Sequence, residues 1–244
     1  MKKTERSKPS AGRTSRASYR RHPMSLVQRI AVTASAVITF AILAALLAYI
    51  LIMGVPNLKP GLFAWHYTSD NCSMTPAIIN TLLMVVLSLL LSVPFGIGAA
   101  IYLVEYAKRG NKLVKVVRLT AETLSGIPSI VYGLFGYLMF VIALNMDKSM
   151  LAGALTLAIM VLPTILRTTE EALKAVPDSF REGSFGLGAG KLRTVFRIVL
   201  PSAVPGIFSG IILAIGRIVG ETAALIFTAG TFSGVAGGVM ESGR

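Results

Sequence analysis

The sequence contains very few of the residues that build soluble enzyme sites. It has 1 cysteine, Cys72, and 2 histidines, His22 and His66, in 244 residues. A single cysteine excludes an internal disulfide and a multi-cysteine metal site, and the histidines have no partners at ligand or catalytic spacing. We therefore expect no catalytic residue and no metal site.

Acidic residues are also scarce: 11 Asp and Glu stand against 24 Lys and Arg, for a net charge of +13. Charged residues make up only 14% of the chain and hydrophobic residues 54%, with a mean hydropathy of +0.70. This composition is too apolar for a typical soluble domain. The cations lie between long apolar runs, which favours a lipid bilayer rather than nucleic acid as the partner of this basic chain.

Five apolar runs predict an all-α membrane bundle. Ile30–Val55 follows a basic tail, residues 1–29, whose Ser, Pro and Gly content predicts disorder. This run is longer than a signal-peptide core and lacks a convincing cleavage site, so we expect a retained membrane helix. The other expected spans are Pro76–Val104, Leu119–Leu144, Met150–Leu166 and Ala203–Phe227. Met150–Leu166 is near the lower length limit and has room to continue into the polar loop after it.

The distribution of cations predicts the orientation of these spans. Glu105–Arg118 carries five cations and Arg167–Arg197 six, whereas Val55–Thr75 and Asn145–Ser149 carry one each. By the positive-inside rule, the N-terminus and the loop 167–201 face the cytoplasm. An odd number of spans then places Arg244 on the outer side.

The loop 167–201 contains a spaced motif, Arg181–Pro201, with the sequence REGSFGLGAGKLRTVFRIVLP. A long polar loop in so apolar a chain is a candidate contact for a soluble partner. The spacing resembles the EAA loop of bacterial ABC-importer permeases (EAA-x3-G-x9-I-x-LP), with Gly183 and Ser184 in place of the usual alanines. An ordinary cytoplasmic loop is the alternative.

The resemblance implies a short coupling helix that docks into a groove on a separate ATPase subunit. The residues that it assigns to this coupling are Arg181, Glu182, Gly183, Gly188, Ile198, Leu200 and Pro201. A phosphate-binding P-loop is excluded in the same segment, because Phe185 and Leu192 stand where the motif needs Gly and Ser or Thr. The chain is therefore expected to bind no cofactor, and ATP and Mg²⁺ would belong to the partner ATPase subunits.

Two spans contain polar residues that could line a substrate pathway. In Leu119–Leu144, Ser125 and Ser129 flank a proline kink at Pro128, although helix packing also explains this region. The glycines Gly126, Gly133 and Gly136 permit close backbone approach. In Ala203–Phe227, two small-xxx-small pairs, Gly206 with Gly210 and Gly216 with Gly220, are suited to tight helix contact.

The same span holds Arg217 and Glu221, four residues apart and so predicted to share one helical face. Arg217 lies about 21 Å along the helix from Ala203. A charge at that depth costs at least about 2.5 kcal/mol, so it should face protein or water. An internal ion pair is one interpretation. The other is an anion pathway that also includes Thr222, in which the planar guanidinium binds phosphate oxygens.

Three stretches carry a more specific resemblance: GIGAAIYLVEYA (96–107), LSGIPSIVYGLFG (124–136) and GRIVGETAALIFTAG (216–230). They are similar to the permeases of the phosphate-specific ABC importer, the A-type subunit more than the C-type, and the likeness covers residues 76–240. It implies a MetI-like transmembrane domain over residues 76–244 and a multi-pass subunit of a bacterial or archaeal cytoplasmic membrane. In that family one further span follows the fifth.

The implied partners are a C-type permease subunit, two ATP-binding subunits and an extracytoplasmic phosphate-binding protein. The alternatives are a permease for another oxyanion, such as molybdate or sulfate, or the C-type subunit itself. A secondary transporter or channel would also use buried charges, but would not need the EAA spacing.

Overall fold

The computed structural model describes residues 23–108, 110–230, 234–238 and 240. These residues form helices and turns, without a strand among them, so the predicted all-α fold is confirmed. They belong to two units that divide between Lys59 and Pro60 and are described separately. Arg244, predicted to lie on the outer side, is outside the described residues.

The first unit contains helix α1, Pro23–Gly54, and a 3₁₀ turn, Val55–Asn57. An 18-residue stretch of the helical run from Met24 to Asn57 has a mean hydropathy of 2.7, as expected for the predicted first span. The helix begins at Pro23 instead of Ile30, so the predicted disorder is wrong for residues 23–29. Proline suits the first helical position because its φ is already helical. The rest of the predicted tail, residues 1–22, lies outside the described residues.

The second unit begins with a 3₁₀ turn, Pro60–Phe63. Its α-helices are α2 (Thr75–Ile101), α3 (Lys112–Ser125), α4 (Ser129–Gly136), α5 (Met150–Ala175), α6 (Asp178–Gly186), α7 (Lys191–Thr194), α8 (Leu200–Val219) and α9 (Ala223–Thr228). The described residues also form three π-helical segments. Tyr102–Tyr106 extends α2, Tyr137–Ala143 extends α4, and Val195–Val199 joins α7 to α8. With α1, four described helical runs are long and apolar enough to cross a membrane, or five if the bent pair formed by α3 and the segment after it counts as one.

Helix α5 forms the centre of this unit and packs against α2, α3, α4, α8 and α9. Its side chains Leu157, Met160 and Ile165 are fully buried. The helix continues past the predicted end at Leu166 because Leu173, two turns further on, is still buried in the core. Much of the predicted loop 167–201 is therefore helical.

The predicted span Leu119–Leu144 is not one straight helix, because α3 and the helical segment Ser129–Ala143 meet at an angle of 105°. Ile127 precedes Pro128, a position that disfavours helical backbone. The Tyr132 hydroxyl donates a hydrogen bond of 2.7 Å to the Leu124 carbonyl across the break, which satisfies an acceptor at the end of α3. We call this break, residues 126–128, the elbow.

The predicted span Ala203–Phe227 is also broken, since α8 ends at Val219 and α9 begins at Ala223. Gly220 terminates α8 and donates its N–H to the Gly216 carbonyl at 3.1 Å. Glu221 and Thr222 lie in the turn that follows. The prediction that Arg217 and Glu221 share one helical face is therefore wrong.

The glycines of α8 divide into two groups. A Cβ on Gly206 would lie 2.6 Å from Ala172 Cβ, and one on Gly210 would collide with the Thr168 side chain, so the first predicted pair packs tightly against α5. A Cβ on Gly216 would meet nothing within 4 Å, and one on Gly220 would meet only backbone atoms of residues 216 and 217. Close packing of the second pair is thus not found among the described residues.

This difference gives a matched test of the fold. Gly210→Leu should destabilise the purified chain by about 1–3 kcal/mol, because the side chain enters a filled contact with α5. Gly216→Leu should leave stability nearly unchanged, since its site is open. Thermal unfolding of both variants in the same detergent provides the measurement. Equal melting temperatures would contradict the packing of α8 on α5.

Candidate functional site

The first candidate site is the coupling segment, residues 176–190, which contains α6. The chain turns after α5 because Val176 precedes Pro177 and adopts an extended backbone. Helix α6 ends at Gly186, and Gly188 has a φ of +80°, a conformation that favours glycine. Its N–H donates to the Phe185 carbonyl at 2.9 Å. Gly188 therefore lies in the turn that closes α6, whereas its part in coupling and the docking on an ATPase stay predictions.

The outward side of the coupling segment carries exposed residues suited to a protein contact. Glu182 and Gly183 are exposed, and Phe185 and Leu187 are 47% and 91% exposed. A short helix that presents two large apolar side chains beside a carboxylate can enter a groove on a partner protein.

Arg181, predicted as a coupling contact, instead points into the protein and anchors α6. Its guanidinium donates to Glu105 at 2.8 Å, to the Val176 carbonyl at 2.8 Å and to the Leu173 carbonyl at 2.9 Å. The Arg181 and Glu105 side chains are only 14% and 8% exposed. Sequence reasoning missed Glu105, although an acid at the end of an apolar run, next to a basic loop, is a recognisable signal.

A second internal contact ties the coupling segment to the start of the last long helix. The hydroxyls of Ser184 and Thr194 lie 2.8 Å apart and are buried. The helical run then continues without a break from Lys191 to Val219. The predicted coupling residues of the I-x-LP end lie within it: Ile198 and Leu200 are half-buried and Pro201 is exposed. A displacement of α6 would therefore act directly on a membrane helix.

The conformation of Gly188 gives a local test with a control in the same segment. Gly188→Ala should weaken the turn after α6 by about 1 kcal/mol, because a Cβ is disfavoured at positive φ. Gly186→Ala should be neutral or stabilising, since that glycine is helical and a Cβ there would meet nothing. Hydrogen exchange of the α6 amides measures the difference. Faster exchange in Gly186→Ala than in Gly188→Ala would contradict this geometry.

The second candidate site surrounds Arg217, near the end of α8. Its side chain is half-buried, and Nη1 donates a long hydrogen bond of 3.4 Å to Thr164 Oγ1 on α5. No carboxylate of the described residues lies within 4.0 Å of this guanidinium, so the ion pair with Glu221 considered from the sequence does not form. Ile218, the next residue of α8, belongs to the same buried cluster as Tyr132, whose hydroxyl bridges the elbow, so this end of α8 lies near the elbow.

Glu221 and Ser125, two of the other predicted pathway residues, make local hydrogen bonds at helix ends. Glu221 Oε1 accepts the Ala224 N–H at 3.0 Å and so caps α9. The Ser125 hydroxyl is exposed and donates to the Glu122 carbonyl at 2.8 Å, at the end of α3. Ser129 is half-buried at the start of α4, and Thr222 is exposed. Of the two charged pathway candidates, Arg217 therefore makes the longer contact, a single hydrogen bond of 3.4 Å.

Four or five described helical runs that are long and apolar enough to cross a membrane, with a half-buried cation in one of them, are typical of a polytopic transport subunit. Residues 92–238 match the family of binding-protein-dependent transport system inner membrane components. The chain belongs to this family.

The chain is also similar to individual permease proteins. The chain is 38% identical over 200 residues to the probable ABC transporter permease protein YqgI of Bacillus subtilis, a match that covers 80% of this chain and 67% of that protein. It is 42% identical over 154 residues to the phosphate transport system permease protein PstA 1 of Mycobacterium tuberculosis, covering 63% and 50%. It is 40% identical over 178 residues to the phosphate transport system permease protein PstA of Yersinia pestis, covering 72% and 60%. The chain thus spans from half to two thirds of these relatives.

Proposed function

We propose that this chain is the A-type permease subunit of an ATP-driven importer of inorganic phosphate. The observation that carries the proposal is Arg217, a half-buried guanidinium in a membrane helix without a carboxylate partner among the described residues. Such a charge is costly unless a mobile anion or water compensates it. Its planar donor fork matches the oxygens of phosphate. Relatives named as phosphate transport permeases support the same substrate.

The transport step needs partners that supply energy and substrate. A C-type permease would complete the pore, a binding protein would deliver phosphate outside, and two ATPase subunits would bind ATP and Mg²⁺ inside. ATPase closure would move α6. Arg181 would pass this movement to the end of α2 through Glu105, and Thr194 would pass it to the run that ends near Arg217.

Uptake by the reconstituted complex tests this function. Labelled phosphate should accumulate in proteoliposomes only with ATP on the ATPase side, and unlabelled phosphate should compete far better than molybdate or sulfate. Stronger competition by either of those anions would assign the importer to that oxyanion. Uptake without ATP would indicate a secondary transporter or channel and overturn the proposal.

The proposed orientation places α6 in the cytoplasm and Cys72 outside. Cys72 is exposed, so an impermeant maleimide should label it from the outer face of intact cells. In a Cys72→Ser background, Leu187→Cys should react only after the membrane is opened, since Leu187 is highly exposed on the coupling segment. Ser184 is unsuitable for this purpose because it is buried. The reverse labelling pattern would reject the orientation.

A further inference from the structure

A cavity of about 910 Å³ lies beside the coupling segment, and of its lining the proposed transport mechanism uses only the Arg181–Glu105 pair. Its walls come from four places in the chain: the π-helical end of α2 with the linker after it, α3, the last turns of α5, and α6. The cavity is thus a product of the tertiary fold and not of a single loop.

Cations dominate the lining of this cavity. The basic side chains around it are Lys108, Lys112, Lys115, Arg118, Lys174 and Arg181. Two carboxylates also line it, Glu105 and Asp178, and Arg181 binds both at 2.8 and 3.2 Å. The cavity therefore has a clear excess of positive charge.

Three of these cations have no acidic partner in the part of the chain that the structure describes. Buried Glu170 holds Arg118 at 2.7 Å and Lys174 at 2.6 Å. Within the described ranges, no carboxylate lies within 4.0 Å of Lys108, Lys112 or Lys115. The positive-inside rule explains why cations occur in this connection, but it does not require that they converge on one cavity. Convergence favours an anion as the occupant.

The geometry of α3 indicates where this anion comes from. The helix turns by 105° from the segment Ser129–Ala143. If that segment crosses the membrane, α3 lies close to the membrane plane. Leu113, Val116 and Leu119 form an apolar edge on it and are about 60% exposed, at 63%, 60% and 62%. An apolar edge beside a row of lysines is typical of a helix at a lipid interface.

We propose that this cavity binds the phosphate of an anionic phospholipid from the cytoplasmic leaflet. Lys112 and Lys115 contact the headgroup, and the apolar edge of α3 lies against the acyl chains. Basic pockets beside membrane helices on the cytoplasmic side suit such headgroups. The site rests on the cytoplasmic orientation given under the proposed function, but it is independent of the transported anion. The lipid would lie next to the Arg181–Glu105 pair that anchors α6.

Binding of headgroup-labelled phosphatidylglycerol to the purified chain in neutral detergent tests the site. Lys112→Gln/Lys115→Gln should weaken binding by about 25-fold, because each cation near an anionic lipid contributes roughly fivefold. The matched control is Arg193→Gln/Arg197→Gln, which removes two exposed charges from the same side of the protein but outside the cavity. It should change lipid binding by less than about twofold. An equal loss of binding in both variants would show that the lipid responds to surface charge in general and not to this cavity.

Two further measurements on the wild-type chain identify the ligand. The wild-type chain should prefer phosphatidylglycerol over phosphatidylcholine by at least about tenfold, since only the former carries net negative charge. Inorganic phosphate at millimolar concentration should not displace the labelled lipid. Displacement of the lipid by phosphate would show that the cavity binds a soluble anion. Equal binding of the two lipids would show that the headgroup charge does not determine binding, which contradicts the proposal. Because no ATP or uptake enters these measurements, failure of phosphate transport would leave their result unchanged.

Discussion

Arg217→Gln is expected to reduce phosphate uptake by about 100-fold while the complex still assembles. A hydrogen bond to a charged group contributes about 1.5–3 kcal/mol, so the loss of a two-bond contact with the passing anion accounts for this magnitude. The fold should tolerate the change because Arg217 makes one long hydrogen bond, to Thr164, and no ion pair within the described residues. Uptake by proteoliposomes and recovery of the partner subunits from detergent are the two measurements.

Further variants distinguish a role of Arg217 in transport from a purely structural role. If Arg217 and Glu221 only stabilised each other, replacing both with glutamine would restore uptake together with assembly. We expect Arg217→Gln/Glu221→Gln to stay inactive, since Glu221 instead caps α9. Arg217→Lys keeps the charge without the planar fork and should show partial uptake at best. Phosphate uptake near the wild-type rate in the double variant would show that Arg217 is not part of the substrate pathway.

Glu105→Gln should uncouple the transporter, with ATP hydrolysis retained in part and phosphate uptake lost. The Arg181–Glu105 pair is largely buried, and without Glu105 the guanidinium keeps only exposed Asp178 and two carbonyls, a loss below the roughly 3–5 kcal/mol of a fully unpaired buried charge. Release of α6 from the end of α2 is the expected response. Uptake and ATPase activity of the same reconstituted complex should therefore diverge.

Asp178→Asn provides the matched control for this variant, because Asp178 also binds Arg181, at 3.2 Å, but is 78% exposed. Exposed pairs contribute little, so uptake should stay close to that of the wild type. The swap Glu105→Arg/Arg181→Glu should recover part of the lost coupling, since it restores opposite charges at the two positions. A normal uptake rate in Glu105→Gln would show that α6 does not need this anchor.

Local signals predicted much of the fold. Apolar length located each membrane run, and the EAA-like spacing located α6 and the turn at Gly188 that follows its end at Gly186. Pro128 signalled a break but could not indicate a 105° turn, because a proline removes one hydrogen bond without fixing the angle that follows. Gly220 was misjudged as a packing residue, since glycine at a helix end and glycine at a helix contact look alike in a sequence.

Contacts between distant segments could not be predicted in this way. Arg181 and Glu105 are 76 residues apart, and no sequence pattern around either residue indicates that the other is its partner. Arg217 and Glu221 had such a pattern, four residues apart, but its use assumed an unbroken helix. That none of the described carboxylates lies within 4.0 Å of Arg217 became visible only when α5, α8 and the elbow were in place.

The π-helical segment Val195–Val199 has a consequence for the permitted length of this part of the chain. A π turn takes up about one residue more than an α turn, so the segment holds an extra residue while α7 and α8 keep nearly the rotation of a regular helix. Deleting one residue inside the segment would restore a regular helix and leave Thr194 facing Ser184. Deleting one residue of α8 itself would instead turn everything before it by roughly 100° about the axis, and Thr194 would then point away from Ser184. The run from Lys191 to Val219 can therefore lose one residue in the π segment, but a loss further along would put α6 and the membrane helix out of phase.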